Sequence, residues 1–154
     1  MFGLNMVVNK GKTVFIGDTS VNEYPTSEQL AEIAISSARV VRLFGFNPKV
    51  AFLSHSTYGQ PLTSRTKHIR DAVEILKNKE VNFKFDGDMQ PDVALNQEYA
   101  ELYPFSEIVG NANILIMPGQ HSAAISYKIM KSLGGAKVIG PLLIGLGQPI
   151  EIAP

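Results

Sequence analysis

The chain has 154 residues, no cysteine, and 14 basic side chains against 14 acidic ones. This length fits a single domain, residues 1–154, that can bury a core without disulfides. The lack of cysteine excludes thiolate metal sites and is compatible with a cytoplasmic location. The balanced charge argues against nucleic acid as a partner. The N-terminal apolar run is too short for a membrane span and has no basic region before it, so we expect no membrane partner.

The first elements are predicted to be a β-hairpin and a helix. Apolar runs over Met1–Val8 and Thr13–Gly17 are separated by a polar, glycine-containing link of hairpin length. Thr26 and Gln29 have the spacing of a capping box, and Gly45 is placed to end the helix. Between them, apolar residues recur with a 3.6-residue period and predict one buried stripe: Leu30, Ile33, Ala34, Ala38, Val41 and Phe44.

Strands and helices alternate in the rest of the chain. The predicted strands are Lys49–Leu53, Asn82–Phe85 and Asn113–Met117. The predicted helices turn Ile69, Ala72, Val73 and Leu76 inward, begin at Pro91, and run from about His121 to Leu133. This alternation predicts an α/β fold in which a mostly parallel sheet is flanked by helices, with the N-terminal hairpin as an antiparallel addition.

The last part of the chain contains Lys137–Ile139, a segment spaced by glycine and proline through Pro149, and an apolar stub over Ile150–Pro154. An exposed hairpin edge and an apolar stub both favour self-association. We therefore expect a homo-oligomer.

The loop after the strand Lys49–Leu53 is the first candidate site, because ligands of parallel sheets gather outside the carboxyl ends of the strands. Its candidate ligand-binding residues are Ser54, His55, Ser56, Thr57 and Gly59. Hydroxyls and backbone N–H groups in such a turn can hold a phosphate or acyl oxygen. The alternative is that these residues are turn formers beside a surface histidine. Glycines do not bracket either serine as a nucleophile elbow requires, which disfavours a serine hydrolase.

The segment Asp86–Asp92 is the second candidate. Its candidate ligand-binding residues are Asp86, Asp88 and Gln90. The glycine and glutamate spacing of a calcium loop is missing, so no metal is assigned here. Three interpretations remain: a turn that leads into a helix cap, which is favoured, the lining of a cleft, and a divalent-metal site, which is the least favoured.

Basic side chains cluster near the start of the second helix. Arg65, Lys67 and Arg70 could meet an anionic ligand, although a solvated helix face is the favoured interpretation. His68 is also expected on a solvated face. The histidines of the chain lack the spacing of a zinc site.

The order of several segments resembles the phosphate acetyl/butyryltransferase family over nearly the whole chain. These segments are Asp18–Asn22, Pro25–Ala34, Val50–Ser56, Phe85–Leu95, Asn111–Ile116 and Ile139–Leu146. Members of this family move an acyl group between coenzyme A and phosphate, without metal, in a cleft between two α/β domains. The resemblance is to the second domain and implies a companion domain in the parent enzyme. The family's catalytic residues lie beyond the stretch that matches Gly145–Pro149, so no catalytic residue is assigned here.

The candidate loop departs from the transferase pattern. Family transferases usually carry Ser-x-Ser-Thr-Lys-Gly-Ser, and this chain has Tyr58 in place of the lysine and Gln60 in place of the last serine. His55 between the serines resembles the C-terminal domain of bacterial NADP-dependent malic enzymes. That resemblance implies a regulatory domain that binds acetyl-CoA, supports oligomerisation and is inactive alone, with no cofactor of its own. The alternatives are a fragment of a true phosphate acyltransferase and a purely structural domain.

Overall fold

The computed structural model describes residues 1–146 and 150–151. The strands are β1 (Phe2–Asn9), β2 (Lys12–Gly17), β3 (Lys49–Leu53), β4 (Lys84–Met89), β5 (Ile114–Ile116), β6 (Lys137–Ile144) and β7 (Ile150–Glu151). The helices are α1 (Ser27–Leu43), α2 (Lys67–Asn78), α3 (Pro91–Leu95) and α4 (Gln120–Gly134), with short 3₁₀ turns over Ser64–Thr66 and Gln97–Leu102. The rest of the predicted C-terminal stub and the segment 147–149 lie outside the described residues.

The described strands form one sheet in the order β4-β3-β5-β2-β1-β6-β7. Strands β4, β3, β5 and β2 are parallel neighbours, whereas β1, β6 and β7 pair antiparallel. The predicted α/β fold and its antiparallel N-terminal hairpin are therefore confirmed.

The hairpin has no free edge at β1, since this strand is paired on one side with β2 and on the other with β6. The expectation of a free edge there was wrong, and self-association loses that support.

Helices cover the two faces of the sheet and give two apolar clusters. Successive side chains of a strand point to opposite faces, and β5 shows this directly: Ile114 and Ile116 belong to one cluster, and Leu115 to the other. Helices α1 and α2 pack on the Ile114 face, and α3 and α4 pack on the Leu115 face. The core therefore lies on both sides of the central parallel strands.

The start and end of α1 follow from its sequence. Gln29 N donates to Thr26 Oγ1 at 3.2 Å, and Thr26 N donates to Gln29 Oε1 at 2.8 Å, which is the predicted capping box. After the helix, Gly45 adopts a φ of 88°, a left-handed conformation that ends helices and favours glycine. Helix α1 could be predicted because the capping box and Gly45 lie at its two observed ends.

Strand β4 runs further than its apolar residues suggest. The predicted strand ends at Phe85, but pairing with β3 continues through Gly87 and Met89. Asp86 and Asp88 therefore lie in a strand, not in the turn that the carboxylates indicated. A β-carbon at Gly87 would collide with the backbone of Phe52, so this close approach of β4 to β3 requires glycine.

The order of the parallel strands opens a crevice at their carboxyl ends. Strand β5 lies between β2 and β3, and its helix α4 packs on the face opposite to α1 and α2, which follow β2 and β3. Loops that leave neighbouring strands in opposite directions leave space between them, which is where α/β sheets bind ligands. Within the described residues, no helix is long and apolar enough to cross a membrane.

Candidate functional site

Asp88 is the centre of a buried hydrogen-bonded cluster at the ends of β3 and β4. Its side chain is 0% exposed, as is Ser56. Ser54 Oγ donates to Asp88 Oδ2 at 3.2 Å, and Ser56 Oγ donates to the same oxygen. The two serine hydroxyls are also 2.8 Å apart. Two separate sequence segments, each proposed as a ligand site, thus meet in one cluster.

The backbone of the loop is tied to the same strand end. Gly59 N donates to Asp88 Oδ1 at 3.1 Å, and Tyr58 N donates to the carbonyl of Asp88 at 2.7 Å. Gln90 N donates to Thr57 Oγ1 at 3.1 Å. These bonds use the donors that were expected to hold a ligand. They hold the loop against the end of β4.

Among the candidate residues of this loop, His55 differs from the others. Its side chain is exposed, whereas Ser54, Ser56, Thr57 and Gly59 are buried. Among these candidates, its side chain is the one that reaches solvent, as the surface alternative predicts. Gln90 is partly buried beyond the end of β4.

Tyr58 of the same loop packs in a small group of aromatic rings. Its hydroxyl donates to Asp86 Oδ2 at 2.6 Å. Its ring centroid lies 5.6 Å from that of Tyr103 and 5.2 Å from that of Phe105. Burial, and then the hydrogen bond to the Asp86 carboxylate, raise the pKa of Tyr58 above its ordinary value. The loop therefore presents a neutral phenol at this position.

The aspartates of the second candidate segment have separate partners. Asp86 accepts from Tyr58, Asp88 from the two serines, and Asp92 accepts from the hydroxyl of Tyr99 at 3.3 Å. In residues 1–146 and 150–151, no three metal-ligating side chains come together.

The basic side chains near α2 separate into three environments. Lys67 forms a surface pair with Asp71 at 2.8 Å, as a solvated face predicts. The same interpretation was wrong for Arg70, which is partly buried: its Nη1 donates to Thr66 Oγ1 at 2.6 Å and lies 3.9 Å from Asp88 Oδ2. Arg65 lines a cleft.

That cleft lies at the carboxyl ends of β2 and β5 and has a volume of about 680 Å³. It is lined by Glu23, Tyr24, Pro25, Arg65, His68, Pro118, Gly119, His121 and Ser122. The sequence predicts the strand Asn113–Met117 and a helix from about His121, but assigns no ligand to the loop between them. The signal that could have found the cleft is the change of helix side between β2 and β5, which no local pattern reveals.

Asp18 holds the loop that forms one wall of this cleft. The carboxylate is buried and accepts from the backbone N–H groups of Gly3 at 2.7 Å, Ser20 at 2.9 Å and Asn22 at 2.7 Å. The carbonyl of Asn22 in turn accepts from Gln120 N, at the start of α4, at 3.0 Å. A single buried carboxylate thereby connects β1, the loop after β2 and α4.

The family model for phosphate acetyl/butaryl transferase matches residues 1–154. The chain belongs to this family. An NADP-dependent malic enzyme of Rhizobium meliloti is 46% identical over 153 residues, which is 99% of this chain and 20% of that enzyme. A phosphate acetyltransferase of Bacillus subtilis is 38% identical over 147 residues, covering 94% of this chain and 46% of that enzyme. A phosphotransacetylase structure from Streptococcus pyogenes superposes with a TM-score of 0.91 at 34% identity, covering 96% of this chain and 46% of that one.

The chain thus spans about a fifth of this malic enzyme and less than half of these two transferases. Both relatives are longer proteins, and this chain matches one part of each. The recognition made from sequence segments is confirmed. The family match covers the Asp88 cluster and the cleft alike, since it extends over every described residue.

Proposed function

We propose that this chain is a fragment of the phosphotransacetylase-like regulatory domain of a malic enzyme, that it binds acetyl-CoA or a related acyl ligand and supports oligomerisation, and that it is inactive alone. The observation that carries the proposal is the 46% identity to a malic enzyme over 99% of this chain. The transferase from Bacillus subtilis reaches 38% over 94%. The chain therefore shares more with the malic enzyme than with this transferase.

The candidate loop supports a role in binding over a role in acyl transfer. Ser54 and Ser56 are buried and bonded to Asp88, so their hydroxyls serve the fold. Tyr58 supplies a neutral phenol bonded to Asp86 where the transferases usually have a cation. Acyl and phosphoryl transfer depend on cations or free hydrogen-bond donors aimed at the reacting oxygen atoms. The loop Ser54–Gly59 has no lysine or arginine, and the N–H groups of Tyr58 and Gly59 are already bonded to Asp88.

A companion domain, a cytoplasmic location and a homo-oligomeric state belong to the same proposal. The greater length of the relatives supports the companion domain. The cysteine-free composition is compatible with a reducing compartment.

The direct test is calorimetric titration of the purified chain with acetyl-CoA, with free acetate as the control. Saturable heat with acetyl-CoA and none with acetate is the expected result. If millimolar acetyl-CoA gave no binding heat and did not raise the melting temperature, the alternative of a purely structural domain would be supported. Acetyl phosphate formation from acetyl-CoA and phosphate, measured on the same sample, should be absent; its appearance would contradict the regulatory assignment.

A second candidate is a piece of a true phosphate acyltransferase. It is favoured by the TM-score of 0.91 to the Streptococcus pyogenes phosphotransacetylase. The two candidates differ in the companion domain that they require. A reading frame for a malate-oxidising domain upstream of this sequence supports the first, and a phosphate-binding half-domain supports the second.

A further inference from the structure

We propose that a cavity at the outer edge of β4 binds an uncharged aromatic molecule with one hydrogen-bonding group, such as a phenol or an indole. The cavity has a volume of about 530 Å³, within the usual range for small-molecule sites. It shares no lining residue with the cleft at the ends of β2 and β5.

The cavity lies between two stretches of backbone. One wall is residues 83–87, which include the first four residues of β4, and the other is residues 105–108. Strand β4 is the last strand of the described sheet and pairs there with β3 on one side. Alternate N–H and C=O groups of such an edge strand point away from its neighbour. The cavity therefore offers main-chain donors and acceptors to an occupant that can form a hydrogen bond.

Aromatic rings from both faces of the sheet reach this edge and line the cavity. Phe83 and Phe85 pack with the apolar cluster on the side of α1 and α2, and Tyr58 packs with the cluster on the side of α3 and α4. Phe105 lies against Tyr58 at a centroid distance of 5.2 Å and is 72% exposed. Aromatic side chains bind flat rings through offset and edge-to-face contacts, so this lining favours an aromatic occupant.

The charges of the lining balance one another. Lys77 lies 3.0 Å from a glutamate on its own helix, and Lys84 lies 2.9 Å from Glu107. Asp86 accepts from the hydroxyl of Tyr58 at 2.6 Å. The two lysines of the lining are matched by two acidic side chains, Asp86 and Glu107, so the cavity has no net charge with which to attract an ion. We therefore assign it an uncharged occupant.

Two contacts connect the walls and limit the cavity to a compact occupant. Lys84 of β4 reaches Glu107 of the opposite wall at 2.9 Å. Asp86 of β4 holds the hydroxyl of Tyr58, whose ring lies against Phe105 of the opposite wall. An extended peptide that paired with this part of β4 would have to break both connections. A small ring system has no such requirement, so the site is assigned to a small molecule and not to an added strand.

The test is titration of the 154-residue chain with indole, followed by fluorescence. The chain contains no tryptophan, so the indole emission comes from the probe alone. Saturable binding is expected, with amide chemical-shift changes concentrated in residues 83–87 and 105–108 of the isotope-labelled chain.

Two variants test the contribution of the aromatic lining. Loss of one ring contact in Phe105→Ala should weaken indole binding about tenfold. Leu102→Ala is the matched control, because Leu102 is 68% exposed and lies outside the lining, and it should bind as the parent chain does. Equal urea midpoints of the two variants exclude an effect of unfolding.

Several results would overturn the site or its ligand class. No saturable binding of indole, equal indole affinity in Phe105→Ala and Leu102→Ala, or amide shifts confined to other residues overturns the site. Indoleacetate and tryptamine carry the same ring with a negative or a positive charge, and tighter binding of either than of indole overturns the uncharged class. Sedimentation velocity tests whether a second copy covers this edge: self-association of the parent chain that Phe105→Ala abolishes also overturns the site.

Discussion

Buried carboxylates organise this domain at the residue scale. Asp88 accepts from two serine hydroxyls and a backbone N–H, and Asp18 accepts from the backbone of β1 and of the loop after β2. A buried charge is costly unless several donors satisfy it, and here the donors come from different elements. Each aspartate therefore joins segments that are far apart in sequence.

Removal of one donor to Asp88 should be measurable. In Ser56→Ala the buried carboxylate loses a charge-assisted hydrogen bond, and the free energy of unfolding should fall by about 1.5–3 kcal/mol. Urea unfolding followed by circular dichroism measures the change. Ser64→Ala is the matched control, because Ser64 is exposed. A loss no greater than that of the control would mean that the cluster adds nothing to stability.

Tyr58 predicts a pH dependence. Burial and the Asp86 carboxylate raise its pKa in the folded chain above the ordinary value of about 10. The folded chain therefore holds the phenolic proton more tightly than the unfolded chain. The stability that this contributes is complete below about pH 10 and declines as the pH rises further.

The measurement is the tyrosinate absorbance of the parent chain minus that of Tyr58→Phe, recorded against pH. This difference should stay near zero until well above pH 10 in the folded protein, and should appear near pH 10 in urea. The same midpoint in both conditions would show that Tyr58 is not held by Asp86.

At the scale of elements, the predictable parts are those with local signals. The capping box of α1 and its apolar stripe from Leu30 to Val41 place that helix correctly, since each depends on residues a few positions apart. Phe44, predicted as the last residue of the stripe, follows the helix and is 47% exposed. The end of β4 was missed because its last residues are polar, and they stay in the strand through pairing with β3. The cleft was missed for a related reason: Arg65 and His121 meet only through the order of the strands.

Gly119 tests the packing of α4 against the loop after β2. A methyl group at this position overlaps the carbonyl oxygen of Glu23, so Gly119→Ala should lower the free energy of unfolding by about 1–3 kcal/mol. Gly134→Ala is the control at the other end of α4, where the added methyl group lies 3.6 Å from Asn9 Nδ2 and meets no backbone. It should be neutral or stabilising, because alanine is the better helix former. Equal free energies of unfolding for the two variants, measured in urea, would refute the close packing.

The whole molecule has two apolar clusters that share one sheet, and β5 contributes to both. Ile114 is buried against α1 and α2, and Leu115 against α3 and α4. Because adjacent residues of one central strand serve both clusters, the loss of either cluster removes the support of the other. We therefore expect the described domain to unfold in a single transition.

The variants Ile114→Ala and Leu115→Ala test this coupling. Each should lower the free energy of unfolding by about 2–5 kcal/mol. In each variant, the urea transitions followed by circular dichroism and by tyrosine fluorescence should keep the same midpoint, since one cooperative unit has one midpoint. Ile125→Ala, on the exposed side of α4, is the control and should change stability by less than about 0.5 kcal/mol. If the two probes gave different urea midpoints in Leu115→Ala alone, the face covered by α3 and α4 would unfold independently. The cleft wall built on α4 would then open before the rest of the sheet unfolds.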